Sequence, residues 1–125
     1  MSKAQLVEDL IAEMLEATQK IEKRCKRAKC VDDLMTEEGQ ITLDSICMQL
    51  IAVGEAVKKI DQLTNRELLS QYPQINWRAI AAMRDILSHH YFDLNAETVY
   101  GVCQEEILPL VETLTTILKE LQENR

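Results

Sequence analysis

Residues 84–91 contain three side chains whose types and spacing could act on a phosphodiester bond. The stretch reads Arg84, four residues, His89, one residue, Tyr91. Arg carries a permanent charge that neutralises phosphate oxygens, and His exchanges protons near neutral pH. Phosphodiester cleavage without a metal ion needs this combination, because charge develops on the phosphoryl oxygens while protons move. We therefore take this stretch as the first candidate site.

Each of these side chains also has an ordinary structural interpretation. Arg84 could pair with a surface carboxylate, His89 or His90 could be a favourable cation at a helix C-terminus, and Tyr91 could be a half-buried aromatic. On an ideal helix, Arg84 and His89 lie about 140° apart around the axis. Both can serve one site only if the helix loosens near His89, or if two chains related by a two-fold axis share the site.

The elements that position these residues are predicted to be helices. The 125 residues include only 3 Gly and 2 Pro, and aromatics make up 4 %. Apolar residues recur at three- and four-residue steps, which is the pattern of amphipathic helices. We expect an all-α, antiparallel four-helix bundle with one additional short helix, forming a single domain over residues 1–125. The predicted long helices cover residues 3–28, 36–60, 77 to about 89, and 96–122, and the short one covers 65–71.

Several single residues refine these boundaries. Thr64, Asn76 and Asn95 are predicted N-caps, since Thr and Asn side chains accept hydrogen bonds from the free N–H groups of a first turn. Pro109 is predicted to kink the last helix. Gly54 lies inside the second long helix, where Gly costs roughly 1 kcal/mol relative to Ala, so we expect a neighbouring helix to approach closely there.

Charge gives a mixed indication about nucleic acid. The net charge of −7 and the pI of about 4.8 argue against RNA binding, which Lys and Arg drive by neutralising phosphates. Residues 20–29, however, contain six cations and one acid, a local charge of +5. This basic segment is compatible with RNA, and equally with a solvated helix end whose cations are favourable near the C-terminus.

The remaining indications concern cysteines, metals and location. Cys47 and Cys103 fall on apolar helical positions and are predicted to be small core residues, whereas Cys25 and Cys30 could be ligands or ordinary structural residues. Adjacent His side chains point apart on a helix, so no metal site is predicted at His89. The N-terminus is unlike a secretory signal and no apolar run approaches about 20 residues, so we expect a cytoplasmic protein without a membrane span.

The stretch 84–91 resembles the Arg-x4-His-x-Tyr signature of the HEPN superfamily, and in particular that of its HepT toxins, which pair with MntA nucleotidyltransferases. Three further features agree: the Gly-Glu-Ala segment within 50–56, the approach to the signature at 76–83, and Pro109 in the last helix. The resemblance covers nearly the whole chain.

This resemblance implies a HEPN-like helical homodimer that acts as a metal-independent endoribonuclease and uses no cofactor. Arg84 and His89 match the catalytic pair, with Arg84 on the scissile phosphate and His89 acting on the ribose 2′-hydroxyl. Asp85 would orient Arg84 or His89, and Glu55 is a hypothetical support for Arg84. Tyr91 matches the tyrosine to which an MntA-like antitoxin transfers AMP, silencing the toxin. The alternative is a non-catalytic helical module that binds a nucleotide or a partner protein in the same cleft.

Overall fold

The computed structural model describes residues 1–89 and 95–124, and in this part of the chain every regular element is helical. The expected all-α bundle is confirmed. The five α-helices are α1 (Lys3–Cys25), α2 (Glu37–Thr64), α3 (Trp77–His89), α4 (Ala96–Glu105) and α5 (Ile107–Glu123). Helix α1 packs against α2 and α5, α2 packs against α1 and α3, and α4 packs against α5.

Capping side chains set several of the helix ends. Asn76 accepts a hydrogen bond from the backbone N–H of Ala79 at 3.1 Å, and Asn95 accepts one from Glu97 at 2.8 Å. Both act as N-caps, as predicted, by satisfying a donor that the first turn leaves free.

The prediction for residues 64–71 was wrong. Helix α2 continues through Thr64 rather than ending at residue 60, so Thr64 caps no new helix. Asn65 ends α2 in the left-handed conformation at φ 53°, and Arg66 follows at φ 63°. Left-handed residues stop a helix, and only a short 3-10 turn, Leu69–Gln71, follows before α3.

Pro109 divides the predicted last helix into α4 and α5. The break falls at Glu106, between Glu105 and Ile107. Pro has no N–H to donate to the carbonyl four residues earlier, which here is that of Glu105, and its ring crowds that carbonyl. The predicted kink is therefore a break of one residue, and Pro109 lies in the first turn of α5, where the missing donor costs little.

A disulfide bond joins Cys25 at the end of α1 to Cys103 in α4, with the two Cα atoms 5.7 Å apart. Cys103, predicted as a small core residue, is partly buried against the core, but its bond to Cys25 was not predicted. Periodicity describes one helix at a time and cannot show that two helices distant in sequence meet. Cys47 is buried, as predicted, and Cys30 is exposed.

Helix α2 is the central element of the core, although by length and composition alone it could cross a membrane. The sequence predicted a long helix here but no apolar run long enough to span a membrane. Ten of its residues are buried, among them Ile46, Val53 and Ile60, and a core helix of a bundle passes the same test. Together α1, α2 and α5 supply most of the buried side chains of the core, and α3 packs against α2.

Candidate active site

Gly54 allows α3 to lie directly against α2 at Arg84. A Cβ atom built on Gly54 would lie 2.4 Å from the Cβ of Arg84 and 3.1 Å from the carbonyl oxygen of Ile80. Real carbon atoms do not approach so closely, so only Gly fits at this helix crossing. The close approach expected at Gly54 is confirmed, and the residue that it admits is the Arg of the candidate site.

Two carboxylates hold the Arg84 guanidinium. Glu55 Oε1 forms an ion pair with Nε, which is itself buried, and Asp85 Oδ1 accepts a hydrogen bond from Nη1 at 3.0 Å. Asp85 and Glu55 both raise the pKa of Arg84, the hydrogen bond to Asp85 most strongly. Among the residues that the structure describes, none pairs with Nη2.

Lys58, which was not predicted from the sequence, completes this group. Its Nζ donates to Asp85 Oδ1 at 2.8 Å, so one carboxylate oxygen links Lys58 to Arg84. Hydrogen bonds from Lys58 and then from Arg84 lower the pKa of Asp85. The available signal was the spacing: Lys58 lies three residues after Glu55, on the face of α2 that Gly54 presents to α3. We call Glu55, Lys58, Arg84 and Asp85 the charge quartet.

The charge quartet is only partly buried. The exposed fraction of its side chains ranges from 29 % for Arg84 to 50 % for Glu55. Ion pairs with this much solvent around them contribute little to folding stability. Their clearest consequence is geometric, because they fix the direction of a cation whose stem is already fixed by the contact with Gly54.

His89 is the last residue of α3, and its side chain is exposed. Since the helix is intact from Trp77 through His89, it does not loosen between Arg84 and His89. The two side chains therefore stay about 140° apart around the helix. Asp85, four residues before His89, lies on the same side of α3 as His89. Tyr91 and His90 lie outside the described residues.

Other candidate features are placed more simply. Cations of residues 20–29 are mostly exposed, and Lys23 and Arg24 occupy the last turn of α1, where positive charge is favourable. Within residues 1–89 and 95–124, no group of three or more His, Cys, Asp or Glu side chains could hold a metal ion.

Comparison with known proteins decides the family. The model of the family described as "Ribonuclease HepT-like" matches residues 14–117. The chain belongs to this family. A relative in Thermococcus cleftensis named "Probable ribonuclease HepT" is 30% identical over 99 residues, which are 79% of this chain and 84% of the relative.

Two relatives in Methanocaldococcus jannaschii carry names that begin "Putative RNase". One is 28% identical over 65% of this chain and 64% of the relative, and the other is 36% identical over 62% and 61%. The chain spans about half to two thirds of the length of the first curated relatives that it matches. No solved structure gives a significant match. The match to the HepT-like family therefore covers most of the helical bundle and includes the residues of the charge quartet.

Proposed function

We propose that this HepT-like protein is a metal-independent endoribonuclease and the toxin of a toxin–antitoxin pair, with Arg84 and His89 as its catalytic residues. The observation that carries the proposal is the held Arg84, whose stem fits against Gly54 and whose guanidinium is fixed by Glu55 and Asp85. A cation held before substrate arrives loses little conformational freedom on binding a phosphate, which is how preorganised electrostatic stabilisation works.

The catalytic site is a shared one. Because α3 is intact through His89, one chain presents Arg84 and His89 in directions about 140° apart. A two-fold homodimer that packs α3 near its copy would bring the Arg84 of one chain close to the His89 of the other. This removes the geometric objection raised by the spacing of the motif.

The chemistry follows from the two side chains. A neutral His89 takes the proton of the ribose 2′-hydroxyl, the 2′-oxygen attacks phosphorus, and the 5′-oxygen leaves with a proton from a water molecule. The products are a 2′,3′-cyclic phosphate and a 5′-hydroxyl end. Arg84 binds the scissile phosphate and stabilises the charge on its oxygens.

The other members of the charge quartet are positioning residues. Glu55 holds Nε of Arg84, and Asp85 holds Nη1 while Lys58 limits the excess negative charge beside it. Asp85 also lies on the side of α3 that carries His89, so it can orient the imidazole in the assembled dimer.

Silencing is the second part of the proposal. Tyr91, two residues beyond His89, accepts AMP from an MntA-like nucleotidyltransferase. The modification adds bulk and negative charge beside the site, and both oppose an RNA backbone. We place the protein in the cytoplasm with its RNA substrate.

The test is RNA cleavage by protein expressed without its partner, in excess chelator, beside His89→Ala and the control Ser88→Ala. Both residues are exposed, so neither change should unfold the bundle. The proposal predicts cleavage by the wild type and by Ser88→Ala, and none by His89→Ala. If there is no cleavage and mass spectrometry finds unmodified Tyr91, the protein is a binding module instead. If the wild type carries added AMP mass, the same assay is repeated after the AMP has been removed.

A further inference from the structure

A second basic surface lies beside the charge quartet. The end of α2, the turn after it and the start of α3 enclose a groove of about 810 Å³. Lys58, Arg66 and Arg78 line it, with Asp61 as the acid among them. Three cations against one acid form a concentrated positive surface on a protein whose net charge is −7. Such a surface attracts a polyanion more strongly than the average charge suggests.

The local backbone disfavours Arg at two of these positions, although Asp61 offsets part of the charge of Arg66. Arg66 has φ 63°, a left-handed conformation in which Gly is the inexpensive residue and a side chain costs about 1 kcal/mol. Arg78 is the second residue of α3, in a first turn that contains no acid, and the helix dipole disfavours a cation there. Other residues would be more stable than Arg at positions 66 and 78. The two positive charges therefore point to an anionic ligand.

The groove is continuous with the candidate catalytic site. Lys58 lines the groove and donates to Asp85 Oδ1 at 2.8 Å, and that oxygen also accepts from Arg84 at 3.0 Å. Arg78 lies seven residues before Asp85, which places both on one side of α3 about 10 Å apart along the axis. The groove and the charge quartet therefore share Lys58, and Arg78 lies on the same side of α3 as Asp85.

The lining indicates which part of a nucleic acid would bind. Trp77 is buried, and its indole N–H donates to the carbonyl oxygen of Tyr72 at 3.0 Å, so it offers no face on which a base could stack. The charged contacts are Lys and Arg, which bind phosphates without reading sequence. The groove therefore suits the sugar-phosphate backbone.

We propose that this groove binds the backbone of the RNA strand on one side of the scissile phosphodiester, independently of base sequence. The proposal rests on the ribonuclease function proposed above. An acidic surface of a partner protein could use the same charges, and the experiment is chosen to separate the two.

The experiment measures binding of a fluorescein-labelled, fully 2′-O-methylated single-stranded RNA of mixed sequence, at several salt concentrations. The methyl groups block cleavage, so binding is measured alone. The variants are Arg66→Gly, Arg78→Ala and their combination, and Lys119→Ala, an exposed position on α5, is the control. Arg66→Gly is preferred to Ala because Gly adopts the left-handed conformation without strain, which keeps the fold intact.

We expect the double variant to bind about tenfold more weakly. The plot of log association constant against log salt concentration should be less steep by about 1.4, which is 0.7 for each lost phosphate contact. On cleavable RNA its KM should rise while kcat stays within about twofold. Lys119→Ala should match the wild type in both assays.

Each result decides one proposal or both. If cleavage depends on His89 but neither cleavage nor the salt slope changes in the double variant, the proposal for the groove is overturned and the ribonuclease proposal stands. RNA binding that depends on Arg66 and Arg78 without any cleavage overturns the ribonuclease and leaves the groove. If the protein neither binds nor cleaves RNA, both are overturned. If the double change weakens only the complex with an acidic partner protein, the groove is a protein-binding surface.

Discussion

Replacing Gly54 with Ala tests the contact that fixes Arg84. The new Cβ would lie 2.4 Å from the Cβ of Arg84, whereas carbon atoms pack comfortably at about 3.5–4.0 Å. The Arg84 Cβ belongs to the stem of its side chain and cannot rotate away, so α3 must move by about 1 Å or more. Overpacking of this kind costs about 1–3 kcal/mol, and Ala in place of a helical Gly returns about 1 kcal/mol. The net loss of stability is therefore about 0–2 kcal/mol.

The effect on activity should be much larger than the effect on stability. A displacement of about 1 Å at a catalytic group can lower a rate by about 100-fold. We expect Gly54→Ala to remain helical and cooperative by circular dichroism, to melt up to about 8 °C lower, and to lose about 100-fold in kcat/KM for RNA.

Gly101→Ala is the matched control. It also places Ala at a helical Gly, but a Cβ at Gly101 meets no atom within 4 Å. Its unfolding midpoint should rise by about 4 °C, with cleavage unchanged. If Gly54→Ala behaved like Gly101→Ala, with a raised midpoint and wild-type cleavage, α2 and α3 could not be in the described contact at Gly54.

Three further predictions concern other contacts. Thiol titration of the unfolded, unreduced protein should find two free thiols, and four would contradict the disulfide. Reducing the bond between Cys25 and Cys103, which are 78 residues apart, should lower the unfolding midpoint by about 10 °C or more. Burial and the hydrogen bond to Glu120 raise the pKa of Tyr72 from 10.0 to about 12, so folding favours the protonated phenol. The contribution of Tyr72 to folding stability is therefore complete below pH 10 and is lost as the pH rises towards 12. The stability difference between wild type and Tyr72→Phe, measured by urea unfolding, should therefore shrink over that range, and a constant difference would be evidence against this hydrogen bond. Glu55→Gln should lower kcat/KM about tenfold by loosening the guanidinium it holds, and unchanged cleavage with unchanged stability would exclude that role.

The sequence predicted the helices well where the apolar pattern and the caps agreed. Asn76 and Asn95 start α3 and α4 because a capping side chain is a local feature that needs no knowledge of the fold. The close helix contact at Gly54 was also predicted, since a Gly inside a helix is costly unless another helix must approach it closely.

Features that depend on packing between distant segments could not be predicted in this way. The end of α2 depends on the left-handed Asn65 and Arg66, two residue types that do not require that conformation. The partner of Cys25 is set by how α4 returns to α1. Lys58 acquires its place in the charge quartet only when α2 and α3 are docked, because its partner Asp85 is 27 residues away.

Complementation between two inactive chains tests the central claim, the shared site, most directly. Arg84→Ala and His89→Ala are coexpressed with different tags, and the mixed dimer is isolated by purifying on both tags in turn. In a two-fold dimer one of its two sites has an intact Arg84 and an intact His89 from different chains. We expect each variant alone to be inactive and the mixed dimer to regain about half of the wild-type cleavage rate. A mixed dimer that forms and stays inactive would contradict the shared site.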